Sequence, residues 1–103
     1  MNRVLEGSKP VMETVFYDYD HEEITPTLVF YNVVREDTGA QLVGNTNVFP
    51  DNPIEVVLPL AATTLTSTDY DPVVIVYTLS ISYPNGSSTY DETKLTVVPR
   101  RYA

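Results

Sequence analysis

The chain has 103 residues, 43% of them hydrophobic, and a formal charge of −8. That length suits one domain, whose modest core hides only about 60–65% of the surface its unfolded chain exposes. The acidic balance opposes binding to nucleic acid phosphates, and the lack of cysteine excludes disulfides and thiolate zinc sites.

No apolar run approaches the roughly 18–20 residues that cross a membrane, and Met1-Asn2-Arg3-Val4-Leu5-Glu6-Gly7 lacks the apolar stretch of a signal peptide. The expectation is a chain made in a reducing cytoplasm, without a membrane partner. Residues 1–10 read as a flexible N-terminal arm, 11–99 as the domain and 100–103 as a C-terminal arm.

Residues 11–19 are rich in β-formers, and Asp20-His21-Glu22-Glu23 follows as a polar loop. Residues 27–35 are apolar at successive positions, which predicts a central strand covered on both faces. Glu36-Asp37-Thr38-Gly39 reads as a turn, residues 41–49 as a weak strand interrupted by Gly44-Asn45, and Pro50-Asp51-Asn52-Pro53 as another turn. Residues 54–60 alternate, with Ile54, Val56, Leu58 and Leu60 expected on the inner face. Residues 61–68 read either as a short edge strand or as a single helical turn.

The clearest strand runs over 73–83, where Val73, Ile75, Tyr77, Leu79, Ile81 and Tyr83 fill the odd positions. Alternate side chains of a strand point to opposite faces, so this pattern buries one face. Asn85-Gly86 is a hairpin signal, because that pair readily takes the positive φ of a tight turn. Residues 89–98 then return with Leu95 and Val97 inward, Lys94 and Thr96 outward, and Pro99 closing the strand. Six to seven short strands between turns predict an all-β fold, an immunoglobulin-like antiparallel β-sandwich.

Catalytic devices find little support in the residue types. The one histidine, His21, lies among acids in a loop. The sequence contains no Gly-rich phosphate loop, no Gly-x-Ser-x-Gly elbow and no His-Glu-x-x-His motif. A non-enzyme without a cofactor is expected.

The triplet Asp-Tyr-Asp occurs at 18–20 and again at 69–71, and Asp51 sits in a comparable loop. If residues 63–67 form a fifth strand, the first, third and fifth loops share one end of an up-and-down sandwich. Asp18, Asp20, Asp51, Asp69 and Asp71 then converge as oxygen ligands for a hard cation such as calcium. The competing reading is that loop acids keep a β protein soluble and its edges unpaired.

Charge is unevenly placed. Arg3, Lys9, Arg100 and Arg101 lie in the two ends, and only Arg35 and Lys94 lie between. Solubility accounts for such a layout, and so does docking of basic arms on a neighbouring acidic body. The eight tyrosines suit a sugar platform or a protein interface, although their alternation in strands also fits ordinary packing.

One pattern carries a resemblance. Phe16-Tyr17-Asp18-Tyr19-Asp20 leads into Ile24-Thr25-Pro26-Thr27 and Val29-Phe30-Tyr31-Asn32-Val33, then Thr38-Gly39. Ile54-Glu55-Val56-Val57-Leu58, Val74-Ile75-Val76-Tyr77, Tyr83-Pro84-Asn85-Gly86 and Leu95-Thr96-Val97 continue it. Over residues 11–98 the chain resembles, in rhythm, the small immunoglobulin-like virion proteins of tailed bacteriophages found in heads, necks and tails. The resemblance implies a structural or decorating role in several copies on a particle, reached from the host cytoplasm. Partners are then copies of itself or other virion proteins. The alternative expectation is an adhesion or ligand-binding module, stabilised by calcium.

Overall fold

The computed structural model describes residues 2–17, 20–65 and 71–99. They form strands β1 (Asn2–Leu5), β2 (Val11–Thr14), β3 (Leu28–Arg35), β4 (Gln41–Val48), β5 (Ile54–Val57), β6 (Val73–Ser82) and β7 (Ser88–Val98), with a helical turn α1 (Leu60–Thr63). The strands make a five-stranded sheet in the order β1-β7-β6-β3-β4 and a two-stranded sheet of β2 and β5. The fold is all-β, with the small sheet packed on the large one.

Strand β6 lies at the middle of the large sheet, antiparallel to both β3 and β7. Its odd positions Val73, Ile75, Tyr77, Leu79 and Ile81 are all buried, and its even positions are half-exposed. Register carries that inner face sideways: Val29, Tyr31 and Val33 oppose Ile81, Leu79 and Tyr77. On the other side, Leu95 and Val97 oppose Ile75 and Val73. Phe16, Ile54, Val56, Leu58 and Ala62 close the core from the small sheet and α1.

Strand β3 is central, as its composition predicts, but it is covered on one face only. Leu28 is 45% exposed, and Phe30, Asn32 and Val34 are half-buried. Both strands of the second sheet lie against the inner face, so the valines of the outer face stay partly wet.

The ends of several elements depart from the local pattern. Strand β2 stops at Thr14 rather than continuing to 19. Asn52 reaches across to take the backbone of Phe16 in both directions, N–H to Oδ1 at 3.1 Å and Nδ2 to carbonyl at 2.9 Å. The same Nδ2 donates to the Ile24 carbonyl at 3.0 Å, so one amide ties two loops together.

After β5, Leu58 still points inward, but Pro59 has no N–H to extend a ladder and the chain turns into α1. Leu60, expected inside, is 48% exposed. The ambiguous stretch after residue 60 is thus helical at its start. Thr63 and Thr64 close the turn with hydroxyls donating to the Leu60 carbonyl.

Residues 2–5 differ most from expectation. The N-terminal arm contains a strand, β1, which pairs parallel with the end of β7 and makes the large sheet mixed rather than purely antiparallel. Val4 packs against the core, Arg3 and Leu5 face outward, and the strand occupies an edge that β7 would otherwise expose. The next residues are held too, by Gly7 N–H to the Thr63 carbonyl at 3.2 Å and Thr63 Oγ1 to the Ser8 carbonyl at 2.7 Å.

The β6–β7 hairpin closes through Gly86 N–H to the Tyr83 carbonyl at 3.0 Å and Tyr83 N–H to the Ser87 carbonyl at 2.8 Å. Only Gly86 takes a positive φ, 87°. Asn85 instead accepts from the Ser87 N–H at 2.9 Å and so stiffens the turn from its side chain. A Cβ on Gly86 would meet nothing within 4 Å, so a substitution there is resisted by backbone strain alone. Gly86→Val is therefore expected to cost about 1–2 kcal/mol, read as a lower urea midpoint with an unchanged slope.

Candidate functional site

A concave surface feature lies where the β6–β7 hairpin outruns the small sheet. A cavity of about 400 Å³ opens there between the turn and the loop before β3, lined by Tyr17, Ile24, Tyr83, Asn85, Ser88 and Thr89. A shallower groove continues from it between residues 14–17 and Tyr90 and Asp91. Tyr17 and Tyr90 are exposed, so aromatic surface and neutral hydroxyls share one concave strip. Alternation in the sequence marked these tyrosines as strand residues but carried no hint that loop and hairpin would meet.

Of the five carboxylates expected to converge, Asp51 and Asp71 are divided by the fold. Asp51 follows β4 at the end of the large sheet marked by Leu28 and Ser82, whereas Asp71 precedes Val73 at the opposite end. Ten residues of β6 separate those ends, about 30 Å at ordinary strand rise. Residues 60–63 form a helical turn, and 66–70, where most of the rest of the expected fifth strand and the following loop fall, lie outside the described residues. Asp20 and Asp51 belong to the loops that Asn52 ties together, and Asp18 and Asp69 lie outside the described residues. Among the described residues, no three His, Cys, Asp or Glu side chains gather as a metal site.

The cations divide just as plainly. Arg35 grips Asp37 with Nε at 3.0 Å and Nη2 at 2.8 Å, and this guanidinium holds the Asp37 carboxyl below its usual range. Lys94 Nζ lies 2.6 Å from Glu36 Oε2, which raises the ammonium pKa. Both mid-chain cations are thus held by carboxylates of the turn between β3 and β4. Arg3 stands on the outer face of β1, and Lys9 is exposed before Pro10. Arg100 and Arg101 lie outside the described residues.

No known family model, curated protein or solved structure matches the chain.

One buried polar atom stands out. Tyr77 is 2% exposed, its ring centroid is 5.6 Å from that of Tyr31, and its hydroxyl has no hydrogen-bond partner. Burial pushes its pKa up to about 12, and the nearby Tyr31 and Asp91 add to the rise. The neutral phenol is the stable form inside, so the unfolded chain loses its proton first. This contribution to stability is whole below about pH 10 and is lost as the pH climbs to about 12. Tyr77→Phe removes an orphaned hydroxyl and is expected to leave the urea midpoint unchanged or raise it, by up to about 1 kcal/mol at pH 7. Between pH 10 and 12 the variant should also lose less stability than the parent, by on the order of 2 kcal/mol.

Proposed function

We propose that this chain is a non-enzymatic structural or assembly protein, an immunoglobulin-like virion component of a tailed phage, that works through protein–protein contacts. The observation that carries the reading is the disposition of charge. The two cations in the body of the domain, Arg35 and Lys94, are held by Asp37 and Glu36 of their own chain. Arg3 and Lys9, near the beginning of the chain, make no ion pair among the described residues, while the rest of the surface is strongly acidic. Such a body repels its copies except where a basic end meets an acidic face. Repetition of weak contacts of this kind is how particle components gain affinity. The rhythm shared with phage immunoglobulin-like proteins supports the same role, with synthesis in the host cytoplasm followed by residence in the virion.

The second reading is a ligand-binding or adhesion module, favoured by the tyrosine-lined cavity. Tyrosine faces flanked by hydroxyls suit a neutral saccharide, since the ring covers apolar sugar faces and the hydroxyls meet polar ones. Screening of the protein against an immobilised glycan panel checks it. Bound glycans should be lost with Tyr17→Ala and Tyr90→Ala, and a blank panel removes this reading.

For the assembly role, light scattering should detect concentration-dependent oligomers at low salt. They should loosen as the Debye length falls from about 10 Å at 0.1 M to about 3 Å at 1 M. Deleting residues 1–9 would also remove β1, so the basic ends are better probed by Arg3→Glu with Lys9→Glu and by a chain ending at Pro99. Both changes should reduce assembly. A strict monomer at low salt contradicts the reading.

A further inference from the structure

A free strand edge exposes unpaired N–H and C=O groups, and natural sheets protect such edges with charge, proline or brevity. The described edges of this molecule follow that rule with one exception. Strand β1 is only four residues long and carries Arg3. Strand β7 is unpaired by β1 before Leu95, and there it carries Asp91, Glu92 and Lys94. In the small sheet β2 carries Glu13, and β5 carries Glu55 between Pro53 and Pro59.

Strand β4 lacks charge, proline and brevity, although its ladder with β3 shifts register between Tyr31 and Val33 and α1 packs against part of it. Its sequence, Gln41-Leu42-Val43-Gly44-Asn45-Thr46-Asn47-Val48, contains no charge and no proline over eight residues, and its one strand neighbour among the described residues is β3. The acids beside its start, Glu36 and Asp37, are neutralised by Lys94 and Arg35. In a chain of charge −8, this edge is where a like-charged body meets least repulsion. Phe49, just past its end, is 83% exposed, with Tyr90 at 70% the next of the exposed large hydrophobic side chains.

We infer that β4 is a self-association edge: two copies pair β4 antiparallel to β4 about a two-fold axis, joining their large sheets into one. The proposal goes beyond the charge-driven assembly above, because it rests on backbone pairing rather than on ion pairs. A second copy is the occupant that fits. A two-fold contact places the same neutral, Asn- and Thr-rich strand on both sides, whereas a charged peptide would find no counter-charge along it. With the axis near Asn45, Phe49 of each copy lies opposite Gln41 of the other. Gln41 opposes Val34, and Val34 opposes Val76, so Phe49 would extend a half-exposed apolar row of the outer face. The exposed aromatic and the bare valines cover one another in such a dimer.

Sedimentation velocity at 0.1 M and 1 M sodium chloride tests the pairing. A dimer is expected in both, because hydrogen bonds between backbones and apolar contact are little screened by salt. Asn45→Glu, which sets two carboxylates against each other at the axis, and Phe49→Ser should each weaken dimerisation at least tenfold. Both positions are exposed, and Asn45→Glu gives up only a solvent-exposed hydrogen bond from Asn32 Nδ2 at 3.0 Å, so circular dichroism and the urea midpoint should stay near those of the parent. In this cysteine-free chain, Asn45→Cys should form a covalent dimer under oxidation, and Ser87→Cys in the distant turn should not. The edge is refuted by a parent that stays monomeric at high salt and high concentration. It is equally refuted by a dimer that ignores both Asn45→Glu and Phe49→Ser. Oligomers that vanish with salt and with Arg3→Glu, yet ignore the β4 changes, would refute the edge and leave the charge-driven assembly standing.

Discussion

Burial of alternate side chains along β6, between two antiparallel neighbours, is the constraint on which the other elements depend. Val73, Ile75, Tyr77, Leu79 and Ile81 supply a continuous apolar row, and each has a cross-strand partner in β7. A slip of one residue would turn the whole row to solvent, so the register is held by burial rather than by the turn alone. Strand β3 inherits its inner face from that register, and β4 inherits its position from β3, with irregular pairing around Asn32. The small sheet has no comparable core of its own. It is a lid that closes only because the large sheet presents an apolar face to close on.

Around that frame, side chains do the work that secondary structure does not. Asn52 links the loop after β2 to the loop before β5 with its single amide, and Thr63 anchors the segment between β1 and β2 to α1. These bonds satisfy backbone groups that leave the ladders in partly buried places, where an unmade bond would be costly. The Tyr77 hydroxyl is the exception, tolerated because its ring is held by the surrounding core.

Charge governs the outside as burial governs the inside. The turn between β3 and β4 keeps its two acids paired with Arg35 and Lys94. That pairing leaves a strip with little net charge beside an otherwise acidic body. The function proposed for the chain uses this contrast: acidic surface to stay apart, basic residues and a neutral edge to come together.

Much of the large sheet was legible in the residues themselves. The alternation over 73–83 and 89–98, the turn at Gly86 and the closing Pro99 are local patterns. Strand period and turn chemistry act over neighbours in sequence, so reading them needs no knowledge of the partner. Other features were decided only by packing. The four residues of β1 are too few to show a period, and they become a strand because β7 leaves an edge within their reach. The apolar residues of β3 read as a strand buried twice, yet the second face stays half-open because both strands of the small sheet lie on one side. Asp51 and Asp71 looked equivalent as loop acids, yet they lie toward opposite ends of the large sheet. Sequence alone determined which face of β6 and of the end of β7 is apolar, since that follows from a two-residue period. Only the tertiary structure decided which edges and loops meet, since loop placement depends on contacts between residues far apart in the chain.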